Sequence, residues 1–186
     1  MTDKKKSFPA PPSLIGDKVF LRPSTPEDIA NMHHWWLQSE PQSLSCRPHP
    51  FQTAKEAAER AQTAQKSADD QRFTVVRKDD KTTVALVRFF SLNPLNRSAE
   101  LGLLVDPEVR RKGYGSEAIK IVTRYLFRYR GLNKVHAQTA AFNEGAIAML
   151  ESLGFKKDAT LRNHYFYDGE FHVGYVYSLL QFEVDW

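Results

Sequence analysis

Residues 98–115 read SAELGLLVDPEVRRKGYG, and few folds accommodate such a stretch. Residues 99–105 form a short apolar run with the length of a strand buried on both faces, and Pro107 just beyond it cannot extend a hydrogen-bond ladder. A basic loop punctuated by Gly113 and Gly115 follows. Ser116-Glu117-Ala118-Ile119 then opens an amphipathic helix with Ala118, Ile119, Val122, Tyr125, Leu126 and Tyr129 on its apolar face, ending at Gly131. Strand, glycine loop and helix in that order aim unpaired amides and the positive end of a helix dipole at one point, which suits a phosphate. The two glycines allow positive φ and close approach of an anion to the main chain, and Arg110, Arg111 and Lys112 add positive charge. By itself, Arg110-x-x-Gly113-x-Gly115 serves a purely structural strand-to-helix turn equally well.

Composition bounds the rest. With 186 residues, 41% of them hydrophobic, the chain can build one core but not two comfortable ones, so a tail at 1–13 and a single domain at 14–186 are expected. The net charge of +4 is spread along the chain, which gives no reason to expect a nucleic-acid partner. Cys46 is the single cysteine, so no intramolecular disulfide forms, and no CxxC or HxxxH spacing suggests a metal. The lysines and prolines of the first residues contain no apolar stretch fit for a signal or a membrane span, and a cytoplasmic protein with no membrane partner is the expectation.

In chain order, residues 18–22 alternate as a strand stopped by Pro23. Thr25-Pro26-Glu27-Asp28 starts a helix that runs to about Ser39 and carries Met32, His33, His34, Trp35 and Trp36. Residues 41–50, with Cys46 and Arg47, read as a loop. Thr53-Ala54-Lys55-Glu56 is a capping box for a second helix reaching about Ala68. Residues 71–78 and 82–92 pair as a hairpin through Asp79-Asp80-Lys81, and the opening strand extends them into a meander. Residues 134–140 form a strand parallel to 99–105 because a helix crosses between them. Asn143 caps a short helix stopped by Gly154, and residues 156–167 and 170–181 form a long hairpin turning at Asp168-Gly169.

Val105-Asp106-Pro107 followed by Arg110-Arg111-Lys112-Gly113-Tyr114-Gly115 resembles the coenzyme A pyrophosphate loop of the GCN5-related N-acetyltransferases. Ala141-Phe142-Asn143-Glu144-Gly145-Ala146-Ile147 through Leu153-Gly154-Phe155 resembles their second motif. Tyr167-Asp168-Gly169-Glu170-Phe171-His172 is similar to the C-terminal hairpin of the subgroup that includes ribosomal-protein and spermidine acetyltransferases. The resemblance implies that family's α/β (α+β) fold: a mixed, mostly antiparallel central sheet of about seven strands, helices on both faces, and a splayed central pair of parallel strands.

It also implies acetyl-coenzyme A as co-substrate and no metal. The pyrophosphate would lie on the loop Arg110, Arg111, Lys112, Gly113, Tyr114, Gly115 and Ser116, and the pantetheine arm would pair like an extra strand along Leu103, Leu104 and Val105. Asn143 matches a position that contacts the cofactor, and reads equally as a plain helix cap. The acceptor would be a primary amine, on a protein N-terminus, a polyamine or another small molecule, attacking directly in a ternary complex. Trp35, Trp36 and Tyr165 are expected at its pocket, and a homodimer is compatible with the family. An ammonium has no lone pair, so a base is needed. Glu100, facing the same way as Gly102 and Leu104, is the candidate, with a strand-end glutamate or a partner for Arg97 as the other readings. Two positions depart from the family. Leu150 stands where many relatives carry a tyrosine that protonates the leaving thiolate, with Tyr114, Ser116 and Ser152 as conceivable substitutes, and Val173 stands where an aspartate often follows the histidine. The loss of that tyrosine keeps a second reading open, an acyl-coenzyme A binding or sensing module with weak or no turnover.

Overall fold

The structure, a computed structural model, describes residues 10–39, 52–64 and 68–184. The loop expected at 41–50, with Cys46 and Arg47, lies outside the described residues, as do residues 1–9 and 65–67. Ala10 already packs against the core and Pro12–Leu14 forms a 3-10 turn with Leu14 buried, inside the stretch expected to be tail.

Seven strands form one sheet: β1 (Val19–Pro23), β2 (Gln71–Arg77), β3 (Thr83–Asn93), β4 (Ser98–Val105), β5 (Lys134–Ala140), β6 (Lys156–Tyr167) and β7 (Glu170–Leu180). Their order is β1-β2-β3-β4-β5-β7-β6, and every neighbouring pair is antiparallel except β4 with β5. This is the mixed, mostly antiparallel sheet with a central parallel pair that the motifs implied. Helix α3 (Tyr114–Tyr129) lies on one face, where Ala118, Ile119, Val122 and Leu126 bury against Val19, Leu21, Val75, Val87, Phe89 and Leu101. On the other face α1 (Pro26–Gln38) sets Met32 and Trp35 on Leu86 and Leu104, and α2 (Ala54–Ala64) packs on α1. Helix α4 (Glu144–Ser152) adds Leu150 to the α3 side, followed by Leu153 and Phe155. Full burial of each such apolar side chain contributes roughly 1.5–3 kcal/mol. Among the described residues no helix is long and apolar enough to cross a membrane.

Local chemistry explains the element ends. Thr25 caps α1 by accepting from the Asp28 amide at 3.2 Å, and the Asp28 carboxylate accepts from the Thr25 amide at 2.8 Å. Asp28 also takes two bonds from Arg22 of β1, at 2.6 and 2.7 Å, so one carboxylate pins the helix to the sheet. Thr53 and Glu56 cap α2 in the same reciprocal way. Helix α3 begins at Tyr114, ahead of the expected Ser116, because Gly113 adopts a left-handed conformation at φ 87° and is itself the cap residue. Tyr129, expected on the apolar face, is exposed and stacks on Tyr125 instead.

Burial disfavours the Asp28 charge, but the bonds from Arg22 and Thr25 outweigh it and hold the carboxyl at about 2, below its ordinary 3.8. A carboxyl whose pKa is lower folded than unfolded stabilises the fold above the unfolded pKa and loses that contribution as pH falls through the folded one. Asp28 therefore contributes about 2 kcal/mol near neutrality. Asp28→Asn removes that amount in urea unfolding at pH 7, and the variant loses less stability than the parent between pH 4 and pH 2.

Candidate active site

The sheet splits at its centre. Strands β4 and β5 pair only at Ser98 with Lys134, Ala99 with Val135 and Glu100 with His136. Beyond that point β4 stays on β3 as far as Val105, and β5 stays on β7 as far as Ala140. The facing edges separate and open a cleft of about 880 Å³, lined by Leu101, Gly102, Leu103, Leu104 and Val105 on one wall and Ala137, Gln138 and Thr139 on the other. Such edges can take an extended ligand that carries amides of its own.

The glycine loop forms the mouth. Asp106 anchors its start by accepting from the Glu108 amide at 3.0 Å through its side chain, while its own amide donates to the Val84 carbonyl at 3.0 Å. Arg111 (φ 61°) and Gly113 (φ 87°) are both left-handed, the kind of backbone that forms anion-binding concavities. No carbonyl among the described residues accepts from the amides of residues 110–116; Glu117, bonded to the Gly113 carbonyl at 3.1 Å, is the first of the helix to find one. A Cβ on Gly115 would sit 2.9 Å from Val105 Cγ2 and 3.0 Å from Leu103 Cδ2, so only glycine lets the helix start lie this close to β4.

Arg110, Arg111, Gly113, Tyr114, Gly115, Ser116 and Asn143 all line the cleft, together with Leu103, Leu104 and Val105. Lys112 does not. It borders a separate hollow with Lys18, Arg77 and Lys78, and its carbonyl accepts from Lys18 Nζ at 3.4 Å. Asn143 both faces the cleft and caps α4, accepting from the Ala146 amide at 3.2 Å. Arg110 donates to Ser39 Oγ at 3.0 Å, and Ser39 donates to the Trp35 carbonyl at 2.6 Å, tying the loop to the end of α1.

On the α1 side Trp36 lines the cleft, whereas Trp35 is 5% exposed and buried on Leu86 and Leu104, away from the lining. Tyr165 and His164 reach the cleft from β6, where the pairing with β7 breaks between Leu161 and Tyr165 and the aromatic ring rides over Gly174. Glu100 lines the cleft with its side chain 15% exposed, and its Oε2 lies 3.9 Å from His136 Nε2. Arg97 turns away and donates to the Gly131 carbonyl at 2.7 Å. Burial, reinforced by Lys134 and opposed by Asp158, pushes the His136 imidazole below its ordinary range, so it is neutral at pH 7. Leu150, 3% exposed, lines the cleft; Ser152 lies outside the lining and donates to the Met149 carbonyl.

Sequence reasoning missed Arg88, Phe90, Gln138, Thr139 and Phe142 in the lining, and His136 beside Glu100. Arg88 and Phe90 carried a signal in the alternation of β3, which puts them on the face of Leu86; the guanidinium lies 3.9 Å over the Phe90 ring and 3.6 Å from Asp70. Among the described residues no group of three or more His, Cys, Asp or Glu side chains is placed to hold a metal.

Comparison with known proteins agrees with this geometry. The family described as acetyltransferase (GNAT) domain matches residues 18–156. The chain belongs to that family. It is 32% identical over 110 residues to the uncharacterized N-acetyltransferase YoaA of Bacillus subtilis, covering 59% of this chain and 62% of YoaA. It is 29% identical over 97 residues to the spermidine N(1)-acetyltransferase of Vibrio cholerae, covering 52% of this chain and 56% of that enzyme. The matched stretch is thus less than two thirds of either relative. The solved structure of spermidine N-acetyltransferase from Vibrio cholerae in complex with CoA and spermine shares the fold, with a TM-score of 0.82 at 23% identity over 89% of this chain and 97% of that one.

Gly115→Ala forces Val105, Leu103 or the helix start to move, a strain of about 1–3 kcal/mol, and lowers the melting temperature by several degrees in a thermal scan.

Proposed function

We propose that this GNAT-family chain transfers acetyl from acetyl-coenzyme A to a primary amine, and that the amides of the cleft-lining residues 110, 111 and 113–116, without carbonyl partners among the described residues, are the observation that carries the reading. A diphosphate supplies acceptors for those amides, and Arg111 lies beside them. Leu103 and Val105 on one side and Ala137 and Thr139 on the other offer the main chain that an amide-bearing arm needs. Bound acetyl-coenzyme A supplies an activated acyl group; the chain holds it, excludes water and removes a proton from the amine.

Glu100 is the proton acceptor in this reading, directly or through a water, with neutral His136 next to it. An alkylamine of pKa about 10 and an α-amine of about 8 are both mostly protonated at pH 7, so that removal is part of the barrier and is larger for the alkylamine. Glu100 and Glu144 are the carboxylates of the described lining, against Arg88, Arg110 and Arg111. A polycation gains little from such a wall. A singly charged amine with an apolar neighbour, set against Trp36, Phe90 and Tyr165, fits better. A cytoplasmic location accompanies the reading, supported by the single cysteine.

The buried Leu150 favours a second reading, a module that binds acyl-coenzyme A without turnover. Release of free thiol from acetyl-coenzyme A, followed across a panel of peptides, monoamines and polyamines, separates the two. The first reading expects release with monoamines or peptide α-amines in preference to spermidine, and a fall of at least tenfold in kcat for Glu100→Gln with coenzyme A binding retained. Tight binding of coenzyme A with no thiol from any amine would establish the second.

A further inference from the structure

If acetyl transfer is the activity, the departing sulfur needs a hydrogen-bond donor that Leu150 cannot be. Thr139 has the attributes of one. It lines the cleft on the stretch of β5 that has parted from β4, it is 3% exposed, and its Oγ1 is a buried hydroxyl with no hydrogen-bond partner among the described residues. Alternation along β5 puts Thr139 on the same face as Ala137, which packs on the core that contains Leu150, so hydroxyl and leucine belong to the same side of the cleft. The other hydroxyls of the lining are committed or placed elsewhere. Ser39 donates to the Trp35 carbonyl, Tyr114 and Ser116 belong to the first turn of α3 at the mouth, and Tyr165 arrives from the hairpin on the acceptor side. Buried hydroxyls are rarely left without a partner, because folding then loses their bonds to water for nothing in return. On a residue that lines the cleft, a donor of this kind is available to a group bound there.

We propose that Thr139 Oγ1 donates a hydrogen bond to the coenzyme A sulfur as the acetyl group leaves it. The amine lone pair forms the new bond to the acetyl carbon, the carbon–sulfur bond breaks, and its electron pair stays on sulfur. The proton from nitrogen passes to Glu100 or to water. Thr139 keeps its own proton, since a hydroxyl is a far weaker acid than a thiol of pKa about 8.5, and it steadies the thiolate until water protonates it.

The inference rests on the proposed activity and is tested separately from it with two variants of the full chain. Thr139→Val keeps the shape and removes the donor, and Thr139→Ser keeps the donor and removes a methyl. In single turnover with acetyl-coenzyme A and the best amine, Thr139→Val should react about tenfold more slowly. Its dissociation constant for coenzyme A should stay within about twofold of the parent's, and its melting temperature should be no lower, because the substitution deletes an unsatisfied group. Thr139→Ser should keep most of the rate even if it melts earlier. A parental rate in Thr139→Val overturns the proposal and leaves the activity standing. So does weaker coenzyme A binding at an unchanged rate, or a loss of rate that Thr139→Ser shares. A parent chain that turns over no amine removes both.

Discussion

Everything at the centre of this molecule follows from a parallel strand pair that stops after three rungs. Unpaired edge groups inside a sheet are costly, so something must keep β4 and β5 from closing. Their outer partners do so. Strand β3 holds β4 as far as the Ala85–Val105 rung, and β7 holds β5 as far as Ala140–Gly174. The break between the two half-sheets becomes a cleft with main chain along both walls. The glycine loop then follows β4 at the end of the strand beside the break, and Gly115 lets α3 lie directly on Val105 and Leu103. Loop amides and strand edges thus address the same space, which is why a ligand with phosphates at one end and amides along its length matches both.

The elements were legible in the sequence wherever the signal is local. The β6–β7 hairpin turns at Asp168-Gly169 as read, the start of α1 carries the reciprocal cap of Thr25 and Asp28, and the strand before the loop ends at Val105. Failures came where neighbours on a helix or loop differ only in direction. Trp35 and Trp36 are about 100° apart around α1, and the helical period cannot say which faces Leu104 and which the cleft. Lys112 shares its charge with Arg110 and Arg111, yet the left-handed residues on either side turn it toward Lys18. Helix α3 starts ahead of the expected Ser116 because Gly113, a loop residue by its sequence setting, is the cap itself.

Long-range register was not legible at all. Nothing near position 100 announces a histidine 36 residues later, nor does the composition of β5 say that its hydroxyl at 139 goes unpartnered. Those facts arise only when the crossover through α3 sets β5 against β4. The same holds for Arg110, whose bond to Ser39 joins the loop to the last turn of α1. That link joins the loop to α1, so two walls of the cleft are mechanically connected by one guanidinium.

The position of the Glu100–His136 rung ties the split to the proposed chemistry. It is the last paired rung before the edges part. One residue earlier, a side chain would be enclosed by two hydrogen-bonded strands; several residues later, it would ride on an edge that a ligand must occupy. At the apex of the fork the main chain is still held on both sides, so a carboxylate there has a defined direction while its end reaches open space. Burial keeps the adjacent imidazole uncharged, so at neutral pH it does not tie Glu100 into an ion pair. The apex therefore presents a fixed carboxylate with an uncharged imidazole beside it, an arrangement that neither residue would have on a fully paired sheet.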